Sequence, residues 1–412
     1  MSDTHAAKAE HVSTGWMSLL ALVQLGIIMA LTTGGQILLP SHVESVDPQH
    51  KEATLALIFA VGAVAAAVAN PMFGALSDRT RSRYGRRRPW VLAGGLVCAA
   101  AMAWLGFQDS LGGMIVGWAL AQLAFTAVLA TAVAAVPDQV PIGQRGRVSA
   151  LAGVAQLTGP LIGGIAVTLL VTGLLPGYLM MSVLLLATVL PFALFTTEPD
   201  PGPPAARGGF LRGLRIDLRA NPDFAWAWIS RFLVNLSLSM GIGYLLYFLR
   251  DGVGYERLFP GSSVQQGVLI LMAIFTLSSV VPGLLAGWLS DRHGRRRIVV
   301  CVGGLTMAAA ALMLALVPGW GAVMAAAALL GAGTGVFSSV DQAMVTQLLP
   351  ADADRAKDLG VVSLANAGAG VLGPVVAAPL VTSAGGYPLM YGVAAVSAIA
   401  GATLVWRIRG VR

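Results

Sequence analysis

Apolar stretches of about 20 residues recur along this chain from Trp16 to Trp406, and they constrain its fold more than any other feature. Only 11% of the residues are charged and the mean hydropathy is +0.77, so the chain has too few charges to cover several soluble domains. The sequence therefore predicts an integral membrane protein. Its spans must be helices, because lipid offers no hydrogen-bond partner to a free backbone N–H or C=O group.

Turn and charge signals divide the chain into twelve spans in two sets of six. The first set lies in 16–196 and the second in 224–406, with a tail at 1–15, a linker at 197–223 and a tail at 407–412. The first predicted span is 16–39 and the seventh is 224–249. The sequence thus predicts an all-α protein of twelve transmembrane helices in two six-helix bundles.

Lysine and arginine positions give the orientation, since these residues are retained on the cytoplasmic side. With the N-terminus inside, 22 of the 26 Lys and Arg residues lie in cytoplasmic segments. Both termini are therefore expected in the cytoplasm, and the protein in a plasma or bacterial inner membrane. The net charge of +7 is explained by insertion and by contact with anionic lipids, not by nucleic acid, whose recognition motifs are absent.

The linker opens with EPDPGPP, which breaks helices, and continues as FLRGLRIDLR. Leucines on one helical face and arginines on another suit a short helix at the membrane surface. A partly disordered linker is the alternative.

The two halves share a sequence pattern. GRRRPWVLAGGLVCAAA begins at Gly85 and GRRRIVVCVGGLTMAAA begins at Gly294, an offset of 209 residues. Upstream, GALSDR (Gly74–Arg79) and GWLSDR (Gly287–Arg292) match at an offset of 213. Six helices followed by six related helices in the same orientation is typical of a secondary transporter that binds its substrate between the halves.

Two ionisable residues lie within the predicted spans, Arg231 and Asp341. Burying a charge in a bilayer costs at least ~2.5–3.5 kcal/mol on insertion scales, so such residues are functional candidates. Both lie at a similar depth. One hypothesis is that they pair or that Asp341 accepts a proton during transport; the alternatives are a permanent salt bridge or an Arg231 that extends to the headgroups.

The repeated loop resembles the signature of the major facilitator superfamily. The motif G-x-x-x-D-R-x-G-R-R is intact in GWLSDRHGRR from Gly287 to Arg296. The first copy, GALSDRTRSRYGRRRPW, is similar to that of the glycoside–pentoside–hexuronide and sucrose transporter branches. The resemblance covers about residues 16–406 and implies alternating access between two pseudo-symmetric bundles.

The resemblance also implies a latch on the cytoplasmic side. In this superfamily the loop aspartate lies beside the start of a helix in the opposite half, where the helix dipole stabilises a carboxylate by ~0.3–2 kcal/mol. Following arginines can pair with it, although the alternative is that they only anchor the topology. The expected latch residues are Asp78, Arg79, Arg86, Asp291, Arg292 and Arg295.

The helices that face the central pathway in the superfamily carry polar uncharged residues. Amide and hydroxyl groups suit a neutral or hydroxylated solute, although they also form hydrogen bonds between helices. The candidate cavity residues are Gln24, Thr33, Gln36, Asn70, Gln122, Thr126, Gln156, Asn235, Tyr244, Tyr247, Ser338, Gln342 and Asn366.

Sodium coupling is not favoured. In the melibiose-type branch, an acidic residue on helix 2 precedes a proline and binds the coupling cation, whereas this chain has Asn70 before Pro71. An oxygen cage for sodium requires carboxylates or several carbonyls. Five histidines and two cysteines likewise leave little material for a metal centre, and we expect no metal and no cofactor.

Helix 5 gives a competing signal. The pattern G-x8-A-x3-G-P-x-x-G-G from Gly146 resembles the helix 5 motif of proton-coupled drug exporters. The alternative is tight packing, since Gly159-Pro160 recurs as Gly373-Pro374 in the second half.

The sequence predicts a transporter and not an enzyme. An intramembrane enzyme needs clustered acidic, His or Ser–His groups, whereas the spans hold one carboxylate and no histidine. The signature loop is a feature of alternating access and argues against a static channel. The sequence contains no ATP-binding motif, so the energy for transport is expected to come from ion or solute gradients. The expected activity is import of a glycoside-like solute, with proton antiport of an amphipathic compound as the alternative, by a monomer in contact with lipid.

Overall fold

The computed structural model describes residues 11–198, 222–317, 319–347 and 355–408. Every regular element within these ranges is a helix, which confirms the predicted all-α class. The predicted surface helix of the linker lies outside the described residues. So do residues 1–10 and 409–412 of the two predicted tails.

Seven helices make up the first half of the chain. The first continues through a π-helical segment, Gly34–Leu38, into the second, and a similar segment, Ala166–Leu170, ends the sixth. The helices are α1 (Thr14–Thr33), α2 (Leu39–Val46), α3 (Lys51–Arg79), α4 (Arg88–Gly106), α5 (Leu111–Gln139), α6 (Ile142–Ile165) and α7 (Leu174–Phe195).

The second half contains eight further helices, two of them very short. A π-helical segment, Phe248–Val253, follows the second of these helices, and a 3₁₀ turn, Val405–Arg407, follows the last. They are α8 (Pro222–Gly243), α9 (Leu245–Tyr247), α10 (Tyr255–Leu258), α11 (Val264–His293), α12 (Arg296–Leu316), α13 (Trp320–Gln347), α14 (Arg355–Thr382) and α15 (Gly386–Leu404).

Eleven helices of the described chain are long and apolar enough to cross a membrane, and a bent pair makes a twelfth span. The bent pair is Pro222–Gly243 with Leu245–Val253, which meet at 47°. The predicted seventh span, 224–249, is therefore present as a bent pair, and its helix breaks at Tyr244. The first span is also longer than expected and reaches Val46.

Polar caps fix where several spans begin and end. The Ser13 and Ser110 side chains accept hydrogen bonds from the first turns of α1 and α5. Ser263 and Gln266 form a reciprocal capping box at the start of α11. Gly294 ends α11 in the left-handed conformation that glycine adopts without steric cost. These caps satisfy backbone groups that have no partner within the helix.

The chain forms two compact units. The first contains the described residues of 11–38 and 64–198, and the second contains residues 39–63 together with the described residues from 222 onward. Residues 39–63 link α1 to α3 along the chain, yet their contacts place them in the second unit.

The two units repeat the same helix neighbours. In the first unit, α1 packs against α6 and α7, and α4 packs against α5 and α7. In the second, α8 packs against α14 and α15, and α12 packs against α13 and α15. The π-helical segments starting at Gly34 and Phe248 also correspond, at an offset of 214 residues. The internal repeat in the sequence is therefore a repeat in three dimensions.

Candidate transport site and charge networks

A buried ion pair lies within the second unit. Arg231 on α8 and Asp341 on α13 are joined by Nη1 and Oδ2 at 2.7 Å. The Asp341 side chain is 4% exposed and that of Arg231 is 11% exposed. The Arg231 Nε also donates to Oδ1 of Asn366 on α14, at 3.0 Å. The predicted pairing of Arg231 with Asp341 is thus present, and Asn366 joins it.

The carboxylate of this pair has one oxygen without a hydrogen bond. Oδ1 of Asp341 has no partner among the described residues, although it is buried. A buried polar atom left unpaired is costly, and the energetic penalty for a charged group is larger. Oδ1 is therefore the oxygen at which a proton could be taken up, and protonation would weaken the charge-assisted bond between Oδ2 and Arg231.

The ion pair is placed well within its spans. Arg231 follows the start of α8 by nine residues, a rise of about 14 Å, and Asp341 precedes the end of α13 by six residues, about 9 Å. Both helix ends lie on the side predicted to be cytoplasmic. The network therefore lies about 9–14 Å along its helices from the predicted cytoplasmic side.

The candidate cavity residues differ in exposure. Asn70, Gln156, Ser338 and Asn366 are exposed, and Gln24, Gln36, Gln122, Thr126 and Asn235 are half-buried. The Gln342 side chain lies outside the described residues. The Asn235 amide donates to the Arg231 carbonyl one turn earlier, so at least part of its hydrogen bonding lies within α8.

Tyr244 and Tyr247 do not line open space in this structure. Both are fully buried, and their hydroxyls donate to backbone carbonyls: Tyr244 to Glu52 and Pro374, and Tyr247 to Pro40. The sequence could not reveal this, because an aromatic hydroxyl serves equally well as a cavity donor or as a packing contact. The two tyrosines instead hold residues 39–63 against α8 and α9.

Thr33 is likewise a packing residue. Its side chain is fully buried, and its Oγ1 has no hydrogen bond among the described residues. A Cβ added at Gly163 of α6 would overlap the Thr33 hydroxyl. Thr33 therefore marks a close approach of α1 and α6.

The glycines of the helix 5 pattern are explained by the same packing. A Cβ at Gly159 would lie 3.1 Å from the backbone N of Met29 on α1. In the second unit, a Cβ at Gly373 on α14 would overlap the Ser239 hydroxyl on α8. Because both copies use glycine to bring equivalent helices together, these contacts support the packing explanation of the motif.

The first copy of the signature loop forms a dense charge network. Arg87, which is 4% exposed, bonds to Asp78 at 2.6 Å and to Asp138 at 2.9 Å, and also donates to Ser77. Arg86, the predicted partner of Asp78, lies 3.9 Å from it and 2.7 Å from Asp138. Arg87 is therefore the main partner of Asp78. Arg79 is exposed.

Glu198, which follows α7 along the chain, adds another carboxylate at the start of α4. Its carboxylate accepts hydrogen bonds from the backbone N–H groups of Arg86, Arg87 and Arg88 at the start of α4, the last two at 2.8 Å. A carboxylate at a helix N-terminus is stabilised by the free N–H groups and by the helix dipole. Gly85, just before α4, has a φ of 96°.

The second copy of the loop differs. Asp291, Arg292 and Arg295 are all exposed, and none of them takes part in an ion pair among the described residues. The Arg292 guanidinium instead lies over the Trp288 ring at 5.4 Å. The two copies of one motif thus have different environments within their own units.

Sequence reasoning missed Arg87, Asp138 and Glu198. Three consecutive arginines in the loop cannot be ranked by spacing alone, since they point in different directions. Asp138 and Glu198 lie 51 and 111 residues from Arg87 along the chain. The available signal was that each is an isolated carboxylate directly after a long apolar span, on the side where arginines accumulate.

A further charge cluster lies at the end of the second unit that is predicted to face outward, and we name it the outer cluster. It consists of Glu44, Lys51, Arg250, Asp251 and Glu256. The Lys51 ammonium lies 2.9 Å from Glu44 and 2.7 Å from Asp251, and 4.9 Å from the centre of the Tyr247 ring. Arg250 pairs with Glu44 and lies 3.7 Å from Glu256. The cluster fastens residues 39–63 to the π-helical end of the seventh span.

A turn beside the outer cluster is held by Asp47. The hydroxyl of Thr54 donates to this carboxylate and, with contacts to His50, lowers the pKa of Asp47 below its usual value of 3.8. Because the pKa of Asp47 is lowered in the folded protein, its carboxylate stabilises the fold at pH values above its ordinary pKa. That stabilisation is lost as the pH falls through the lowered pKa. Asp47 therefore stays ionised throughout the pH range in which a transport assay is run.

Groups of three or more metal-binding side chains do not occur in the described part of the chain. The two cysteines, Cys98 and Cys301, are both buried and unpaired. The charge networks of the described residues pair carboxylates with guanidinium or ammonium groups.

Sequence comparison shows the family. The profile of the Major Facilitator Superfamily matches residues 12–269 and 259–412, which together cover almost the whole chain. The chain belongs to the Major Facilitator Superfamily. It is therefore a membrane transporter and not an enzyme, and the expectation of this fold is confirmed.

Two plant proteins are similar over part of the chain. The sucrose transport protein SUT4 of Oryza sativa is 36% identical over 90 residues, and the sucrose transport protein SUC3 of Arabidopsis thaliana is 31% identical over 90 residues. Each match covers 22% of this chain and only 14% of the relative's own length.

Comparison with solved structures supports the fold over the full length. The crystal structure of the nucleoside transporter NupG matches with a TM-score of 0.75, covering 95% of this chain and 98% of that one. The sequences are only 15% identical, so this likeness shows the fold alone.

Proposed function

We propose that this chain imports a small, neutral, hydroxylated solute of the glycoside class together with protons, by alternating access. The observation that carries the proposal is the buried pair of Arg231 and Asp341, with an unbonded carboxylate oxygen and an exposed amide beside it. The protein would act as a monomer surrounded by lipid in a plasma or bacterial inner membrane, with both termini in the cytoplasm.

Proton coupling is favoured by the distribution of carboxylates. Asp341 is the one acidic residue placed deep within a span of the described helices, since the others lie near helix ends or in connections. Asn70 occupies the position where the melibiose-type branch has an acid, so a sodium cage of carboxylates is not available there. A single buried carboxylate opposite one arginine is sufficient to bind and release one proton.

The solute class is supported by the polar groups of the spans and by the partial relatives. Exposed amides and hydroxyls at Asn70, Gln156, Ser338 and Asn366 offer both donors and acceptors, which match the hydroxyls of a sugar. The relatives that match a quarter or less of this chain are named sucrose transport proteins. Together these features favour a glycoside over a charged or purely apolar solute.

Export of an amphipathic compound by proton antiport is the second candidate. It is motivated by the helix 5 pattern, whose glycines in this structure serve the packing of α6 on α1. The same buried carboxylate would serve either direction of transport. The two candidates therefore differ in solute and in the sign of proton movement, not in the proton site.

Counterflow in proteoliposomes separates the two solute classes. Vesicles loaded with unlabelled solute are diluted into labelled sucrose, other labelled glycosides, or a labelled lipophilic cation such as tetraphenylphosphonium. Transient uptake of a labelled glycoside with none of the cation is the expected result. Uptake of the cation alone would establish the export candidate and reject the glycoside class.

Substitution of the proton site tests the coupling. Asp341→Asn removes the titratable group, so we expect it to abolish accumulation driven by an inward proton gradient while counterflow continues. Because the variant leaves Arg231 buried without a carboxylate, the double variant Arg231→Gln with Asp341→Asn checks that any loss is not caused by misfolding.

The matched control for that experiment is Asp109→Asn. Asp109 is an exposed carboxylate in the connection between α4 and α5. The Asp109→Asn protein should accumulate solute as the unmodified protein does. Gradient-driven accumulation that persists in Asp341→Asn would reject a proton role for Asp341.

A further inference from the structure

We infer that Asn366 is a positioning residue that transmits solute binding to the proton site. The inference rests on the proposed function and assigns to Asn366 a role beyond contact with the solute. It starts from one geometric fact: the Arg231 guanidinium is shared between a buried carboxylate and an exposed amide. The bond to Asp341 measures 2.7 Å and the bond to Asn366 measures 3.0 Å.

Exposure increases along this chain of three groups. Asp341 is almost completely buried, Arg231 is 11% exposed at its side chain, and Asn366 is exposed. A solute that approaches the network therefore meets Asn366 first and Asp341 last. The amide offers donors and an acceptor to a hydroxyl, whereas Asp341 is covered by the guanidinium.

The two bonds use different nitrogens of one rigid plane. Nε faces Asn366 and Nη1 faces Asp341, so the guanidinium cannot turn toward one partner without changing its geometry to the other. A solute hydroxyl that accepts from Nε and pairs with the Asn366 amide draws the guanidinium toward α14. The bond to Asp341 then lengthens, and the carboxylate is left free to take up a proton.

This arrangement gives the coupling the sign that symport requires. Solute binding favours protonation of Asp341, and by reciprocity protonation frees Arg231 to bind the solute. Among the described residues, Arg231 is the charged group that contacts Asp341. The neighbouring helices α11 and α12 carry their charged side chains only at their ends, from Asp291 to Arg297, and those of α14 all precede residue 359.

The test compares two properties of Asn366→Ala. Solute KM is measured at pH 6 and pH 8, and accumulation is measured under an inward proton gradient. Because its amide contacts the solute, Asn366→Ala should raise the solute KM, and that KM should lose its dependence on pH. Accumulation should fall about tenfold, as expected for the loss of a hydrogen bond to a charged group. Asn366→Gln, which keeps the amide, should restore part of the pH dependence.

Ser339→Ala is the matched control. Ser339 is exposed on α13, two residues from Asp341, and among the described residues its hydroxyl bonds within its own helix, to Val336. It should leave both properties unchanged. An Asn366→Ala protein that keeps the pH dependence of KM and full accumulation would overturn the inference.

The outcomes distinguish this inference from the proposed function. If Asp341→Asn loses accumulation but Asn366→Ala resembles the unmodified protein, the role of Asn366 is rejected and the proton site stands. If Asp341→Asn accumulates solute normally, the proton site is rejected and the inference falls with it. A KM that is raised in both Asn366→Ala and Asn366→Gln but keeps its full dependence on pH would show a solute-binding role alone and would overturn the inference.

Discussion

At the scale of single residues, the most informative positions are charged groups that the surroundings force into one geometry. Arg231 and Asp341 are paired inside a membrane span, where each alone would carry an energetic cost of several kcal/mol. Arg87 is 4% exposed and is held by two carboxylates. In both places a guanidinium is the shared partner, so a change in one bond alters the other.

Gly85 allows a direct test of the first signature loop. Its φ of 96° favours glycine, and a Cβ there would overlap the Glu198 side chain that caps α4. Gly85→Ala should therefore incur the backbone strain of ~1–2 kcal/mol and displace the cap, at a further cost of ~1 kcal/mol.

The matched control is the repeat-related Gly294→Ala. Gly294 also has a positive φ, 64°, but an added Cβ there meets no atom within 4 Å. Gly294→Ala should therefore show only the destabilisation that comes from backbone strain. Thermal unfolding in detergent, followed by a fluorescent maleimide that reacts with the buried Cys98 and Cys301, measures both variants. Equal destabilisation of the two would contradict the assigned role of Glu198.

At the residue scale, a sequence shows a residue type that is out of place but does not show partners that are distant along the chain. A charge in an apolar segment is conspicuous, so Arg231 and Asp341 could be identified from the sequence. Asp138 and Glu198 could not be assigned, because their partners lie far away along the chain. Tyr244 and Tyr247 were assigned to a cavity, since a sequence does not show which way a hydroxyl points.

At the scale of elements, hydropathy located the spans but not their irregularities. The π-helical segments and the bend at Tyr244 use the same apolar residues as a straight helix, so no compositional signal marks them. They occur at corresponding ends of the first and seventh spans. Irregular turns of this kind are frequent at functional sites in helices.

Residues 39–63 were expected to be the ends of two spans and the turn between them. The structure shows that their contacts place them with the second unit, through the outer cluster and through the hydroxyls of Tyr244 and Tyr247. Ion pairs across 200 residues cannot be inferred from charge counts alone. In the proposed alternating access, we expect such contacts to break when the outer end opens.

Lys51 is the central cation of the outer cluster, and its removal should weaken that end. In Lys51→Met, Glu44 and Asp251 lose the ammonium between them, which we expect to favour opening by about 1 kcal/mol, about fivefold. A cysteine at the Ser41 position, where Ser41 contacts Gln265, reports the change through its labelling by an impermeant maleimide.

The control for Lys51→Met is His50→Gln, one residue away. The His50 side chain is 73% exposed and contacts Asp47, outside the cluster. Labelling of the Ser41→Cys protein should rise in the Lys51 variant and stay constant in the His50 variant. Equal labelling in both would show that the outer cluster does not hold this end closed.

At the scale of the whole molecule, the repeat is the basis of the account. It was visible in the sequence as two offsets, and it reappears as the same helix neighbours in each unit. The charge networks of the two units nevertheless differ. The first contains the dense network around Arg87, and the second contains the buried ion pair and the outer cluster.

This asymmetry assigns different tasks to the two copies. The network of the first copy ties α3, α4 and α5 and residue 198 together within one unit. The second copy leaves Asp291 and Arg295 exposed. We expect proton and solute recognition to depend on the second unit, which holds the only deep carboxylate of the described spans.

The most direct test of the central claim is the movement of protons during solute transport. Proteoliposomes in a weakly buffered medium are given the glycoside that supports counterflow, and the external pH is followed with a dye. The account predicts a transient alkalinisation of the medium with the unmodified protein and none with Asp341→Asn. Glycoside uptake with no proton movement, or with protons leaving the vesicles, would contradict it.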